Sequence, residues 1–215
     1  MIRADAVTRV QRLLGFRSDL ETEIIDALKD SQVELEQMAE LPWFLKSEMA
    51  SATTIVDETR IALPTDFIRE VDADEEGGLF YYVSTADEDE RWVQLEKKEL
   101  AAAIAAYQDA VGPPVVYSID DAYVRVRPIS DAVYTVKMIY YYKDVVLDTN
   151  VENQWLKHAH ELIIGKAGQK VAAAARDAAA MQAFVSMESN GMKRLETENV
   201  ARVEVGRMRT MGGKD

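Results

Sequence analysis

The chain has 215 residues, of which 48% are hydrophobic, and it contains no cysteine. This composition predicts a folded protein and excludes disulfides, thiolate nucleophiles and cysteine-ligated zinc. The formal net charge is −13, so we do not expect sequence-specific DNA binding, which depends on basic side chains displacing counterions from phosphates.

The charge is unevenly distributed along the chain. Residues 1–17 hold four basic residues and one acidic residue, and residues 193–215 hold six basic and four acidic residues. The segment between them, residues 18–192, has a net charge of −18. An acidic surface of this kind would let DNA pass without tight binding. Because no uncharged run exceeds ten residues, the sequence predicts no transmembrane helix.

The N-terminal part of the sequence predicts two helices. Apolar residues recur at helical spacing over residues 5–14, and Gly15 is typical of a helix stop. The second helix is predicted to extend to about Glu40. Ser18 and Glu21 have the spacing of a capping box at its start.

The sequence pattern changes at about residue 50. Short segments rich in β-branched and aromatic residues predict strands at 53–56, 79–83, 92–95, 115–119, 123–126 and 133–142. An alanine-rich helix, about residues 96–109, is predicted among them. We therefore expect a β-rich insertion over residues 50–147.

Helical periodicity returns after this insertion and predicts one long helix over residues 148–191. Thr149 and Glu152 have capping-box spacing, and Asn190-Gly191 is typical of a C-terminal cap. The residues expected to form its core and inter-helix packing are Trp155, Leu156, Ile163, Ala167, Val171, Ala174, Ala178 and Met181.

Two glycines lie within this predicted helix. Gly165 and Gly168 allow a kink, since each costs about 1 kcal/mol in a helix relative to alanine. Together with the alanines of residues 172–175 they form a smooth face that a partner helix can approach closely.

The C-terminal segment, residues 192–215, is predicted to be an extended arm. Residues 201–209 alternate as a strand would, and no nearby segment offers them a hairpin partner. Such an arm can add to the sheet edge of another protein, and a disordered tail is the alternative. The candidate arm residues are Val200, Arg202, Val203, Val205, Arg207, Met208 and Arg209.

Motifs that would support catalysis or metal binding are incomplete. His158 and His160 point to different sides of a helix, unlike the i, i+4 pair of zinc proteases, and are predicted to be surface residues. The acidic run from Asp72 places Val83 where a calcium loop needs a glutamate. Glu161 is the one carboxylate whose neighbours indicate burial. We predict no catalytic residue, no metal site and no cofactor.

Five segments, in this order, carry a resemblance to a known family: Pro-Trp-Phe-Leu at 42–45, Leu-Pro-Thr-Asp-Phe-Ile-Arg-Glu at 63–70, Ile-Tyr-Tyr-Tyr-Lys at 139–143, Asp-Thr-Asn-Val-Glu-Asn-Gln-Trp-Leu at 148–156 and Arg-Asp at 176–177. Over about residues 19–190 the chain resembles the head-to-tail adaptors of tailed double-stranded-DNA phages. The resemblance implies a structural protein and not an enzyme.

The resemblance also implies an assembly. It predicts a ring of about twelve copies below a dodecameric portal, with the C-terminal segment reaching the portal and a tail or nozzle protein beneath the ring. DNA would pass through the lumen without specific binding. The expected location is the neck of the virion, after assembly in the host cytoplasm.

The predicted fold class is α+β. It comprises a helical bundle core with a β-rich insertion and an extended arm, divided at 1–49, 50–147, 148–191 and 192–215. Two alternatives for the function stay open. One is another neck or tail protein, such as a stopper or completion factor, and the other is a virion-associated peptidoglycan hydrolase using paired carboxylates.

Overall fold

The structure of the chain is a computed structural model that describes residues 1–48, 52–71, 78–83, 91–148 and 150–211. For 48, 79, 81–83, 91 and 203–211 it describes the backbone alone. The chain folds as two compact units, one formed by Met1–Leu45 with Lys143–Asp215 and the other by Lys46–Tyr142. The first unit is built from helices and the second contains the sheets, so the predicted α+β class is confirmed.

The described residues form six α-helices: α1 (Arg3–Leu13), α2 (Glu21–Glu36), α3 (Leu100–Tyr107), α4 (Gln154–His158), α5 (His160–Ala174) and α6 (Ala178–Met211). The strands are β1 (Lys46–Glu48), β2 (Ala52–Thr53), β3 (Arg60–Ala62), β4 (Phe67–Glu70), β5 (Gly78–Val83), β6 (Arg91–Gln94), β7 (Glu96–Lys97), β8 (Val116–Asp120), β9 (Tyr123–Arg127) and β10 (Thr135–Tyr142). None of the described helices is long and apolar enough to cross a bilayer.

Helix α1 lies close to its predicted position. It buries Ala6, Val7 and Val10 along one face, and Gly15 follows its end with a φ of +72°. The residue before the helix, Ile2, forms an antiparallel bridge with Glu152, so the N-terminus is attached to the segment that precedes α4.

Helix α2 begins later than predicted and without the expected capping box. Ser18 lies inside a 3₁₀ turn, Ser18–Leu20, and no side chain caps the start of α2. Leu20, and not Ser18, is the residue that precedes α2. The prediction was wrong because Ser18 already has helical geometry, whereas an N-cap residue must be extended. The helix ends at Glu36 rather than near Glu40.

The long helix predicted over 148–191 is three helices. Asn153, and not Thr149, caps α4, because its side chain accepts a hydrogen bond from the Leu156 N–H at 3.1 Å; Thr149 lies outside the described residues. The larger break falls at Arg176, whose φ is +57°, and α6 begins two residues later.

Two further expectations for this region are wrong. Gly191 does not end a helix, because α6 continues through it. Residues 201–209 are not extended either, since α6 runs to Met211. The valines at 200, 203 and 205 indicated a strand when this segment was considered by itself. A helix that has already formed extends by one residue at a much lower free-energy cost than a new helix needs for nucleation, so α6 continues through these valines.

The core of the helical unit consists of large apolar side chains from each of its main helices. Those with less than 2% exposure include Ile24, Leu28, Leu35, Leu45, Leu147, Trp155, Leu156, Leu162, Ile163, Ile164 and Phe184. They come from α2, α4, α5 and α6 and from the connections next to them, so the helices share a single apolar core.

The β unit has two sheets. In one, β10 is the central strand, the order is β1-β10-β5-β6, and β2 and β4 also pair with β10; in the other, the order is β3-β9-β8-β7. Buried residues of β9 and β10 alternate with more exposed ones, as expected for sheets with one covered face, whereas the first three residues of β8 are all buried. Its core cluster is Ile61, Leu95, Tyr117, Val124, Val126, Val136, Met138 and Tyr140.

Candidate docking site at the C-terminal helix

Helix α6 is held against α5 by glycine contacts. A Cβ atom added to Gly165 would lie 2.5 Å from the Glu188 backbone nitrogen, and one added to Gly191 would lie 2.5 Å from the Leu162 backbone nitrogen. At Gly168 the added atom would lie 2.2 Å from the Phe184 ring. These pairs run in opposite directions along the chain, so α5 and α6 form a close antiparallel hairpin.

The face predicted at the two glycines of α5 therefore packs closely against a helix, and that helix, α6, belongs to the same chain. Helix α6 has 34 residues and α5 has 15. At about 1.5 Å per residue, α6 is more than twice as long as the helix against which it packs. The C-terminal half of α6 therefore extends beyond the N-terminal end of α5 and cannot pack against it.

The first of these contacts is with the 3₁₀ turn Trp43–Leu45. The Trp43 N–H donates to the Asn199 side-chain oxygen at 3.2 Å. One helical turn further on, the Arg202 guanidinium lies over the Trp43 ring, 3.4 Å from its centroid. A cation over an indole face is attracted to it, so Asn199 and Arg202 attach α6 to the turn.

Trp43 belongs to an aromatic cluster. The Phe44 ring packs edge-on to Trp155 at 5.2 Å between centroids, and His158 stacks on Phe44 at 5.2 Å. His158 also meets Trp43 at 4.9 Å. Trp155 is fully buried, so the cluster connects the Asn199–Arg202 turn of α6 to the core.

The surroundings of His158 favour its neutral form. Burial lowers its pKa, and the positive charges of Lys157 and Arg202 lower it further. Protonation would place a second cation beside Arg202. His158 is half-buried and packs on the Phe44 and Trp43 rings.

A buried polar network lies on the other side of α4. The Gln32 side-chain amide donates to Glu36 at 2.8 Å and to the Asp144 carbonyl at 3.2 Å. The Asp144 carboxylate accepts from the backbone N–H of Trp155 at 3.3 Å, and the Asn153 side-chain amide donates to the Val145 carbonyl at 2.6 Å. The network fixes the path of the chain as it re-enters the helical unit.

Burial raises the pKa of both carboxyl groups in this network. For Glu36 the hydrogen bonds from Gln32 and from the Asp144 N–H oppose the effect of burial without cancelling it. For Asp144 the opposing groups are the backbone N–H groups of Val145, Gln154 and Trp155. Their role is structural, because both side chains are occupied by hydrogen bonds to the protein's own backbone and amides.

The structure places the predicted packing residues in three classes. Trp155, Leu156, Ile163, Ala167 and Val171 are buried, and Met181 is partly buried. Ala174 and Ala178 are exposed, so for these two the prediction of core packing was wrong. They flank the turn between α5 and α6, where the helical face on which they would have met a partner is interrupted.

The predicted arm residues lie on α6. Val200 is 59% exposed, and Arg202 contacts Trp43. The remaining ones, Val203, Val205, Arg207, Met208 and Arg209, belong to the last turns of the helix, where the backbone alone is described. The segment is thus a helix that continues past its last described contact.

The candidates for chemistry are not brought together. Glu161 is 38% exposed and pairs with Arg9 at 3.8 Å, so the burial indicated by its neighbours does not occur. Residues 72–77 and 84–90, which contain the acidic runs, lie outside the described residues. Among the residues described, no three histidine or carboxylate side chains are grouped as metal ligands would be.

Sequence reasoning missed two capping residues and one exposed aromatic residue. The Asp177 side chain accepts from the Ala180 N–H at 3.0 Å and starts α6, and Asn153 starts α4. Both are N-cap residue types followed by helix-forming residues, a signal that was available. Phe16, which is 75% exposed with a φ of +63°, has no such signal.

Comparison with known proteins gives one result. A family model described as SU10 adaptor protein matches residues 1–210, which include both units and nearly all of α6. No curated protein matches the chain.

Proposed function

The chain belongs to the SU10 adaptor protein family, a family of phage structural proteins, and we propose that it forms a ring beneath the portal of a tailed phage. The ring would extend the DNA channel and provide the platform to which the tail attaches. Its partners would be the portal, about eleven further copies of the chain and a tail or nozzle protein below.

The observation that carries this proposal is the extent of the family match, residues 1–210. A match to one unit alone would have left the other unit, or α6, unexplained. The packing supports a structural role as well, because the buried polar groups of the helical unit serve to cap helices and position the chain.

We assign portal docking to the end of α6. The helix continues for nine residues after Arg202, and residues 193–215 have a small positive net charge in an otherwise acidic chain. Because the segment is helical, the expected mode of docking is a helix in a groove of the portal and not the addition of a strand to a sheet.

The proposed passage of DNA through the ring rests on the charge of the chain. The net charge of −18 over residues 18–192 would repel the phosphate backbone from a lumen lined by this segment. DNA would then move through the ring without the counterion release that accompanies tight binding.

The test is co-sedimentation with the portal ring encoded by the same genome. We would compare the full-length chain with a variant that ends at residue 202, which keeps Asn199 and Arg202 on Trp43. We expect the full-length chain to sediment with the portal and the shortened chain to lose at least about tenfold in affinity, while its thermal unfolding stays unchanged.

The two parts of the proposal can fail separately. Equal binding by both forms would leave the adaptor role in place and remove the assignment of docking to 203–215. If neither form binds the portal, the adaptor role itself is wrong. Binding to other neck proteins would then distinguish a stopper or completion factor.

A further inference from the structure

The helical unit carries an exposed apolar patch with a basic edge, formed by Arg12, Leu13, Phe16 and Arg17, which we call the α1 patch. The Phe16 side chain is 75% exposed and that of Leu13 is 39% exposed. Side chains with this exposure contribute little to the core of their own subunit. An exposed apolar patch with a polar rim is typical of an interaction site.

The backbone holds Phe16 in this position. Its φ is +63°, a left-handed conformation that is unfavourable for an aromatic residue. Its N–H donates to the Gln11 carbonyl at 2.7 Å, which closes the end of α1 and fixes the residue. Burial within the subunit does not compensate this strain, because the Phe16 side chain is exposed, whereas a contact with another molecule would bury it.

The charge of the α1 patch is positive. Residues 1–17 have a net charge of +3. Arg17 is paired with Asp19 at 2.6 Å, whereas Arg12 has no ion-pair partner among the described residues. A partner for this patch should therefore present an apolar side chain next to carboxylates.

Helix α2 has such a surface on the side opposite its buried face. Asp26, Asp30 and Val33 follow one another at spacings of four and three residues, so they lie along one line of the helix. All three are exposed, and Val33 is 54% exposed. Lys29 contacts Asp26 at 3.5 Å, and Asp30 has no ion-pair partner within the described part of the chain. We call this line the α2 ridge.

We propose that the α1 patch of one copy of the chain binds the α2 ridge of a second copy. Phe16 and Leu13 would pack on Val33, and Arg12 would pair with Asp30. This inference rests on the proposed ring, because it names the surfaces through which neighbouring subunits would meet. It is supported by the complementary charge and by the apolar residue at the centre of each surface.

The two surfaces cannot meet within one subunit. Phe16 precedes α2, whereas Val33 is the thirteenth residue of that helix, about 18 Å further along its axis. A contact between different surfaces of two copies can repeat head-to-tail, which closes into rings or continues as filaments, or it can be made twice about a two-fold axis. The contact therefore agrees with a ring, and the alternative two-fold arrangement would give dimers linked by two disulfides in the test below and not a ladder.

The contact is small. Stable complexes bury about 800 Å² per partner, more than two apolar side chains supply. We therefore expect weak association of free copies and strong association where the copies are held next to one another, as on a portal ring.

Because the chain has no cysteine, single cysteines can test the contact directly. We would introduce Phe16→Cys and Val33→Cys into one chain and oxidise the protein mildly, both in concentrated solution and on portal rings. A disulfide requires Cα atoms within about 7 Å, so it reports a true contact. We expect a ladder of disulfide-linked oligomers, and only background dimers from either single variant.

Two controls make this test specific. Val133→Cys, at a position 64% exposed in the β unit, replaces Val33→Cys and should give no ladder. Arg12→Glu should slow ladder formation about tenfold, because it places two carboxylates opposite one another. Adding Asp30→Arg to this variant should restore the rate, because the two charges are then exchanged and attract again. Restoration by the second substitution cannot be explained by loss of folding.

The remaining outcomes separate this contact from the adaptor role. Dimers linked only through the cysteine introduced at position 16 would indicate a two-fold contact. A disulfide-free adduct of this patch with the portal, found by chemical cross-linking, would make the portal its partner. Absence of a ladder both in solution and on portal rings overturns the contact while the sedimentation result stands. A ladder without portal binding would instead retain the contact and reject the adaptor role.

Discussion

At the scale of single residues, the glycines of the α5–α6 hairpin show what sequence reasoning could and could not give. Two glycines three residues apart in α5, Gly165 and Gly168, predicted a face that a partner helix can approach. The partner could not be predicted, because the sequence around its own small residue, Gly191, indicates a helix end. A glycine in a close helix contact and a glycine at a C-cap have the same local sequence signal.

Gly191→Ala should destabilise the protein. Alanine is favoured over glycine by about 1 kcal/mol in a helix interior, so an increase in stability would be expected from propensity alone. Here the new methyl group would meet the backbone of Leu162, which cannot rotate away, and overpacking of this kind costs about 1–3 kcal/mol. Denaturant unfolding at constant m-value measures the change.

Gly112→Ala is the matched control for this substitution. A Cβ atom there would meet no atom within 4 Å, so we expect a change within about 0.5 kcal/mol. If Gly191→Ala were as stable as the wild type, the close approach of α6 to Leu162 would be wrong.

The buried carboxyl groups give a prediction about pH. Because burial raises the pKa of Glu36, the native state binds more protons than the unfolded state between the ordinary and the raised pKa. The free energy of unfolding contributed by this group therefore falls as the pH rises through that range. Glu36→Gln keeps an oxygen that can accept from Gln32 and from the Asp144 N–H, and it cannot ionise.

We expect Glu36→Gln to be at least as stable as the wild type at neutral pH and to lose this advantage as the pH is lowered through the carboxyl range. The measurement is the difference in unfolding free energy between the two proteins from acid to neutral pH. A difference that does not change with pH would show that the carboxyl is not perturbed by burial.

At the scale of elements, the largest error was the helix predicted over 148–191. Periodicity of the apolar residues continued through residues 174–178, because both α5 and α6 bury the same kind of residue at the same spacing. Periodicity does not record that the chain has reversed its direction. The reversal is encoded instead in Arg176 and Asp177, where a left-handed residue is followed by an N-cap.

Asp177→Ala should therefore cost about 1 kcal/mol of stability, because the Ala180 N–H would lose its acceptor at the start of α6. Asp177→Asn keeps a side-chain oxygen at this position and should lie within a few tenths of the wild type. Comparing the thermal stability of the wild type and the two variants shows whether the Asp177 side chain caps α6 or is only solvated. Equal stability of all three would mean that the hairpin is held by packing alone.

Strand prediction failed where the strands are short. The segments of β5, β6, β8, β9 and β10 were predicted from their β-branched and aromatic residues. β1, β3, β4 and β7 have two to four residues each and contain several charged ones, such as Lys46 and Arg60. Strands of this length exist because a neighbouring strand supplies the hydrogen bonds, and a local sequence pattern does not contain that information.

At the scale of the whole molecule, the change from helical to strand periodicity and back predicted that a β-rich segment interrupts a helical one. The structure assigns Lys46–Tyr142 to a separate compact unit. What the sequence could not show is how the ends of this unit are joined. Lys46 at its start is the register partner of Tyr141 near its end, on antiparallel strands β1 and β10.

This pairing predicts that each unit folds by itself. Directly opposite residues of an antiparallel pair have Cα atoms about 4.5–5.5 Å apart, so the chain enters and leaves the β unit at nearly the same point. A fragment of residues 46–142 keeps its own apolar cluster, centred on Val124, Val126 and Met138. We expect it to unfold cooperatively in a thermal melt followed by circular dichroism.

The complementary variant lacks the β unit and joins Leu45 to Lys143 through a short glycine–serine linker. Closing so short a gap costs little loop entropy, and the core between α2, α5 and α6 is unaltered, so this protein should also fold and unfold cooperatively. An unfolded 46–142 fragment beside a folded helical variant would show that the β unit depends on the helices. If both fold, the β unit is an inserted domain, and its contribution to portal binding can be measured by deleting it.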